Sequence, residues 1–442
     1  VRTDYIEDII PEKCHERMIV IEHQGFDEVY DFACEHFFEH YGLDIRVPTF
    51  NNEFNNPLFL KLFCESCKDI GYTQELPSLP KILDGYVKHL NEKLYRKFRY
   101  EKSLELVSVA VEQLAEALVL SNSYSIPYSE IQGKVDFTIN RNLGNASPPE
   151  YFSFVDALIK EGVFRAFSGY ESMEKRVGFA YDRMKDYNTL IYWLRQKPEG
   201  IDIAEYIESS PFFEKVLENG HYRHHTMLEL LAIILPERYK KEIVECTPGG
   251  KITHSILKAL LKSFQWRTII YDVPKIGAWL IDISQDNVEL KIAIIDNLLP
   301  VAAVPQHPFN IEFISENFFR PESMAQLDAW WTPHINKKYE DYENNIYKRI
   351  VKWCWRIERK NPIDSNTRFL LGLTLSWLCS ASNRALRDRS TKGLTCIYLD
   401  HTNELNELLN AMQQVNDIYI KERIYAAAYG VVVYETQTDK VK

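Results

Sequence analysis

The chain has 442 residues, 45% of them hydrophobic and 26% charged, values that exclude wholesale disorder. Lys and Arg total 52 against 63 Asp and Glu, a net charge of -11, which argues against a dedicated nucleic-acid coat while leaving room for a local basic patch. Only 17 Gly and 19 Pro are present, which disfavours a turn-rich all-β protein, and 26 Tyr, 23 Phe and 8 Trp can build a large core.

Residues 17–25 read as a short apolar strand ending at Gly25. A helix is then expected from Phe26, because Phe26, Tyr30, Ala33, Cys34, Phe37 and Tyr41 recur on one face. Gly42 stands where a C-cap belongs, and Pro57 suits the first turn of a helix over 58–67, after the Asn-rich stretch 51–56. A third helix is expected over 81–99. Residues 104–118 carry a clean helical stripe, and 136–148 read as a polar inserted loop. A helix starting at Pro149 is stopped by Gly162, and the apolar runs 163–167 and 176–181 predict a hairpin. Three helices and a hairpin are the order of a winged helix. From 198 to 442 apolar helices alternate with Pro- or Gly-marked turns, which predicts an irregular α-solenoid or helical-repeat array. The expected fold is therefore mainly α in three parts: 1–100, 101–197 and 198–442.

Several constellations invite sharper readings. His36-Phe37-Phe38-Glu39-His40 matches the inverted zinc-protease pattern, with both His one turn apart, but two amphipathic side chains at the edge of a core face explain it more simply. Cys64 and Cys67 form a lone C-x-x-C without the second pair that structural zinc wants, so buried thiols are expected. His221, His224 and His225 read as a solvated helix start rather than a metal or pH site. The 339–360 stretch mixes Lys348, Arg349, Lys352 and Arg356 with Trp353 and Trp355, the chemistry of single-strand binding, yet neighbouring acids can neutralise it. Arg384, Arg387, Asp388, Arg389 and Lys392 share one predicted helix, either as an ion-pair network between repeats or as a binding surface. The helix over 150–160 carries too few cations to hold DNA phosphates, so a winged helix here is expected to bind protein. No G-x-S-x-G elbow is present, and no catalytic residue or metal ligand is assigned.

Two segments resemble a known class. Ile19-Val20-Ile21-Glu22-His23-Gln24-Gly25-Phe26, followed by Asn55-Asn56-Pro57-Leu58-Phe59-Leu60, resembles the end of the NTPase core and the small helical domain of NACHT-type STAND NTPases. Val177-Gly178-Phe179-Ala180-Tyr181-Asp182-Arg183-Met184-Lys185-Asp186-Tyr187 resembles their winged helix, and segments at 235–239, 383–394 and 416–426 resemble the sensor halves of bacterial antiviral members. The resemblance implies that 1–100 is the core's C-terminal edge plus the small helical domain. It also implies that 101–197 is the winged helix and 198–442 the sensor. Asn56 and Pro57 would wall the adenine pocket.

No G-x-x-x-x-G-K-[ST] occurs, so the phosphate cradle is missing; no cofactor is expected in this chain, and ATP or ADP with Mg is expected only in a full-length parent. The charged start at Val1 without a signal peptide, the absence of initiator Met and the missing motor together suggest an excised piece of a longer cytoplasmic protein. Eight Cys without a framework suit reduced thiols, and no apolar run approaches the roughly 18 residues of a membrane span. The partners implied are the upstream core in cis, further copies of the protein on activation, and a protein ligand, such as a viral one. No membrane or nucleic acid is expected among them. Hot-spot chemistry favours Arg and Trp, which singles out Arg384, Arg387, Arg389, Trp330 and Trp331 for the ligand. Two alternatives remain: a helical-repeat scaffold with no nucleotide link, and the zinc hydrolase of His36 and His40.

Overall fold

The structure, a computed structural model, describes residues 25–26, 29–45, 48–68, 72–73, 76–143, 153–168, 174–218, 225–267, 269–341, 345–356 and 363–439. The strand expected over 17–25 and the helix start at Pro149 lie outside these, apart from Gly25. Among the described residues, twenty α-helices and five short strands make the protein mainly helical. No helix among them is long and apolar enough to cross a membrane. Contacts gather the chain into two units. One takes in 61–67 and 79–260, the other 26–60, 68–78 and 261–442.

Helix α1 runs Tyr30–Tyr41, four residues later than the Phe26 start that periodicity suggests. Phe26 instead sits in a turn. Gly42, at φ 66°, ends the helix: its N–H donates to Glu39 O and the Leu43 N–H to Phe38 O, satisfying the last carbonyls. Strand β1 (Asp44–Ile45) pairs in parallel with β2 (Tyr72–Thr73). Helix α2 (Pro57–Cys67) starts as expected, with Pro57 in the first turn where no N–H is needed.

In the first unit, α3 (Leu79–Phe98) leads to α4 (Leu106–Ser121), whose Leu106, Val107, Ala110, Val111, Leu114 and Leu118 are buried as the stripe requires. Strand β3 (Ile126–Pro127) precedes α5 (Tyr128–Leu143). The expected loop at 136–148 is thus corrected through 143: the polar residues continue a helix, and 144–148 lie outside the described residues. Helix α6 (Phe154–Glu161) is capped by Ser153 and stopped by Gly162 at φ 81°. Strands β4 (Phe164–Ser168) and β5 (Lys175–Phe179) form the expected antiparallel pair, and the sheet order is β3-β5-β4. Gly178 is required there, because a Cβ would stand 2.7 Å from Tyr124 O. Then follow α7 (Asp182–Arg195), α8 (Ile203–Ser209), α9 (Pro211–Leu217), α10 (His225–Tyr239) and α11 (His254–Ser263). Helix α10 is buried continuously from Met227 to Pro236, Glu229 included.

The second unit continues through α12 (Val273–Ser284), α13 (Val288–Leu298) and α14 (Ile311–Ile314), which runs into a π-turn at Ser315–Phe319. Helices α15 (Met324–Asp341), α16 (Ile346–Arg356), α17 (Ser365–Leu378), α18 (Arg384–Tyr398), α19 (Thr402–Met412) and α20 (Ile418–Asp439) complete it. Helix α17 is the centre of this group, buried at every position from Leu370 to Leu378. Close packing around it depends on small residues. A Cβ on Gly393 of α18 would lie 3.3 Å from Cys354 Cβ of α16 and 3.2 Å from Leu375 of α17. Side-chain oxygens cap α13 (Asn287), α17 (Asp364) and α18 (Asn383).

Candidate functional site

The corner over 49–59 is built from consecutive Asx caps. Asn51 Oδ1 accepts the Glu53 N–H at 2.9 Å. Asn56 Oδ1 accepts the N–H groups of Leu58 at 3.0 Å and Phe59 at 3.4 Å, so its side chain is committed to starting α2. The Phe26 N–H donates to Asn55 O at 3.0 Å, which joins two segments that sequence alone leaves 29 residues apart (55 − 26 = 29). Pro57 is half-buried beside them. Phe54 and Phe59 are fully buried, edge-to-face at 5.3 Å, and Trp266 packs on both at 6.3 and 5.3 Å.

Helix α16 holds this corner. Arg349 is buried, donates from Nη1 to Asn52 Oδ1 at 3.1 Å and lies 5.4 Å from the Tyr30 ring centroid. Burial pulls its guanidinium below the ordinary arginine value, with Tyr30, Asp31 and Cys34 acting the other way. Tyr30 hydroxyl donates to Thr49 O. Asp31 is buried on α1, with Lys352 Nζ at 3.8 Å and Arg356 Nη1 at 3.7 Å. Burial raises its carboxyl above the usual carboxylate range, and Lys352, Arg356 and Arg349 oppose that rise. Burial also pushes the neighbouring Cys34 thiol up to about 12. Trp353 meets Phe50 edge-on at 5.9 Å. Arg349, Lys352 and Trp353 of α16 therefore meet the 30–52 segment, while Trp355 and Arg356 are exposed. Among the described residues, a carboxylate that meets both Lys352 and Arg356 is Asp31 of α1. Its signal was a carboxylate beside Tyr30 and Cys34 on the apolar side of an amphipathic helix.

A small pocket of about 70 Å³ adjoins the corner, lined by Asn51, Trp266, Arg267 and His307 among others. His307 is buried; its Nδ1 accepts the Phe309 N–H at 3.1 Å, so Nε2 carries the proton and faces Phe264 O at 3.0 Å. Burial lowers its pKa to about 4, with Arg267 adding to the effect and the Phe264 carbonyl opposing it. The unfolded histidine titrates near 6.5, so between these values protons bind preferentially to the unfolded chain. Stability is full above pH 6.5 and falls as the pH drops towards 4. From pH 6.5 to 5 the loss at this residue is expected to be about 2 kcal/mol, measured by urea denaturation against His307→Gln, which lacks that component of the slope.

The proposed ligand residues divide. Arg384, Arg387 and Arg389 do share α18. Arg384 is exposed, with Nε 3.4 Å from Asp388 Oδ2, and Asp388 also accepts from Arg423 of α20 at 2.7 Å. Arg387 Nη1 donates to Ala381 O at 3.3 Å. Arg389 is exposed and donates to Tyr339 hydroxyl at 2.7 Å. Lys392 lies over Trp355 at 5.1 Å. An exposed charged surface and an inter-helix ion-pair network are thus both present on this helix. Trp330 and Trp331 require a correction, because both indoles are buried rather than exposed. Trp330 Nε1 donates to Glu322, while Lys291 lies over its ring at 5.2 Å. Trp331 packs on Phe319 at 4.7 Å and donates towards Trp377 O at 3.4 Å. Two adjacent indoles in a helical stretch marked a core as readily as a hot spot.

Elsewhere, His36 and His40 stand exposed on α1, and Phe32 covers His36 at 4.0 Å. Among the described residues no group of three His, Cys, Asp or Glu is disposed to hold a metal. Cys64 and Cys67 are buried, as expected. His225 opens α10, while His221 and His224 lie outside the described residues. In the first unit Arg183 donates to both oxygens of the buried Glu229, at 3.0 and 3.4 Å, and Tyr187 hydroxyl donates to Asp84 at 2.8 Å while accepting from Arg238 at 3.0 Å. No family model, curated protein or solved structure matches this chain.

Proposed function

We propose that this chain is the regulatory and sensor portion of a STAND-class, NACHT-like signalling NTPase of the bacterial antiviral type, working in the cytoplasm. The observation that carries the reading is the junction of Phe26 with Asn55, Asn56 and Pro57, seated on α16. These are the residues through which the sequence resembles the nucleotide-switch region of that class, and Asn52, in the turn just before Asn55, accepts from Arg349 on a helix of the expected sensor half. The order α4, β3, α5, α6, β4, β5 with sheet order β3-β5-β4 supports a winged helix. The close-packed helices α15 to α20 support a helical-repeat sensor.

In this reading Asn56 and Pro57 wall an adenine site whose phosphate cradle belongs to the parent's core, and this chain by itself turns over no ATP. The resting state keeps the corner clasped by Arg349, Lys352 and Arg356. A protein ligand engages α18 at Arg384, Arg387 and Arg389. Gly393 packs α18 directly on Cys354 of α16, so a ligand that prefers another α18 position loosens the clasp. The shift equals its difference in affinity for the two states. Release then permits assembly of several copies.

The test uses the full-length parent. Arg349→Glu is expected to raise the oligomeric fraction without ligand, and Arg384→Glu to weaken ligand binding about tenfold while melting unchanged. A parent that binds no ATP or ADP would overturn the switch and leave the helical-repeat scaffold. Hydrogen exchange with bound ligand that protects only residues before 198 would place the sensor in the wrong half.

A further inference from the structure

A second concavity lies wholly within the first unit, between the end of α4, the turn after it, α7, α9 and α10. Its volume is about 560 Å³, within the usual range of small-molecule sites. Its aromatic wall is rigid: the Trp193 and Phe212 rings stack at 4.8 Å with 13° between their planes. Charge is one-sided. Among the described residues Lys185 and Lys215 line the site and no carboxylate does, although the whole chain carries -11. Lys185 is already engaged, 4.5 Å from the Tyr124 ring centroid and 3.3 Å from Asp186 Oδ1. Lys215 is exposed on α9 and has no ion-pair partner among the described residues.

We propose that this pocket binds a small organic anion with a flat aromatic body. Its ring lies along the Trp193–Phe212 wall, where offset stacking and apolar burial favour a planar group. Its carboxylate or sulfonate meets Lys215 at the rim. A cation of the same shape is disfavoured, because both charged groups at the site repel it and the Tyr124 face is taken by Lys185. The site is separate from the α16 clasp and stands or falls independently of the switch.

Calorimetric titration of the chain with 2-naphthoate tests this. One saturable site per chain is expected. Lys215→Glu, at an exposed position, should weaken binding at least about tenfold, while Lys160→Glu, outside the pocket, should leave it unchanged. Val119→Trp fills the cavity from a half-buried position and should abolish binding. The cation 2-naphthylmethylammonium should bind at least about tenfold more weakly than the anion. No saturation at millimolar 2-naphthoate, equal affinity for the cation, or unchanged binding in Lys215→Glu would each overturn the proposal. Should Val119→Trp fail to fold, Lys215→Glu and the cation comparison decide it alone.

Discussion

Trp331→Ala is expected to cost the second unit about 4 kcal/mol, a drop of roughly 10 °C in melting temperature for a body of this size. The indole is 1% exposed, touches Phe319 and directs its N–H at the Trp377 carbonyl. Removing it leaves a cavity between helices that cannot collapse without shifting α17, while the Trp377 carbonyl keeps the Ser380 hydroxyl as a donor at 2.7 Å. Arg384→Glu, on the neighbouring charged helix, is expected to leave melting nearly unchanged, because Arg384 is exposed and pairs with Asp388 one turn along its own helix. Thermal melting followed by circular dichroism separates the two outcomes. Wild-type melting in Trp331→Ala would return that residue to the list of surface anchors.

Arg183→Ala should destabilise the first unit by about 3 kcal/mol. The guanidinium grips both oxygens of Glu229, which sits in a helix buried continuously from Met227 to Pro236. Truncation leaves a carboxylate among apolar side chains with its bidentate partner gone, and desolvation then goes uncompensated. Arg183→Leu combined with Glu229→Leu should recover most of the loss, since an apolar pair can replace a buried ion pair at little cost. Urea denaturation of the single and double variants checks this. A single variant as stable as wild type would mean that the pair contributes nothing to holding α7 on α10.

Local chemistry carried much of this fold into the sequence. Gly42, Asn56, Pro57 and Gly162 mark their helix ends because each solves a backbone problem at one position, and the hairpin at 164–179 shows in alternating apolar runs. Residues 136–143 look like a loop in the sequence because their helix is polar, and polarity alone does not separate an exposed helix from a turn. The clasp of Arg349 on Asn52 is hidden for another reason: no periodicity links residues so far apart. Trp330 and Trp331 were ambiguous in principle, since the same large ring serves a core or an interface, and only burial decides.

The Arg349–Asn52 bond spans 297 positions of sequence, and that distance becomes time during synthesis. At typical elongation rates of 5–20 residues per second, the 30–59 segment emerges roughly 15 to 60 seconds before the helix that covers it. Residues 79–260 close their own contacts in the interval, because their partners are nearer in sequence. Phe54 and Phe59 wait for Trp266, and Phe50 has no Trp353 to pack against throughout. Nascent chains stopped before residue 346 should therefore expose an aromatic segment to chaperones, and chains released past residue 356 should withdraw it.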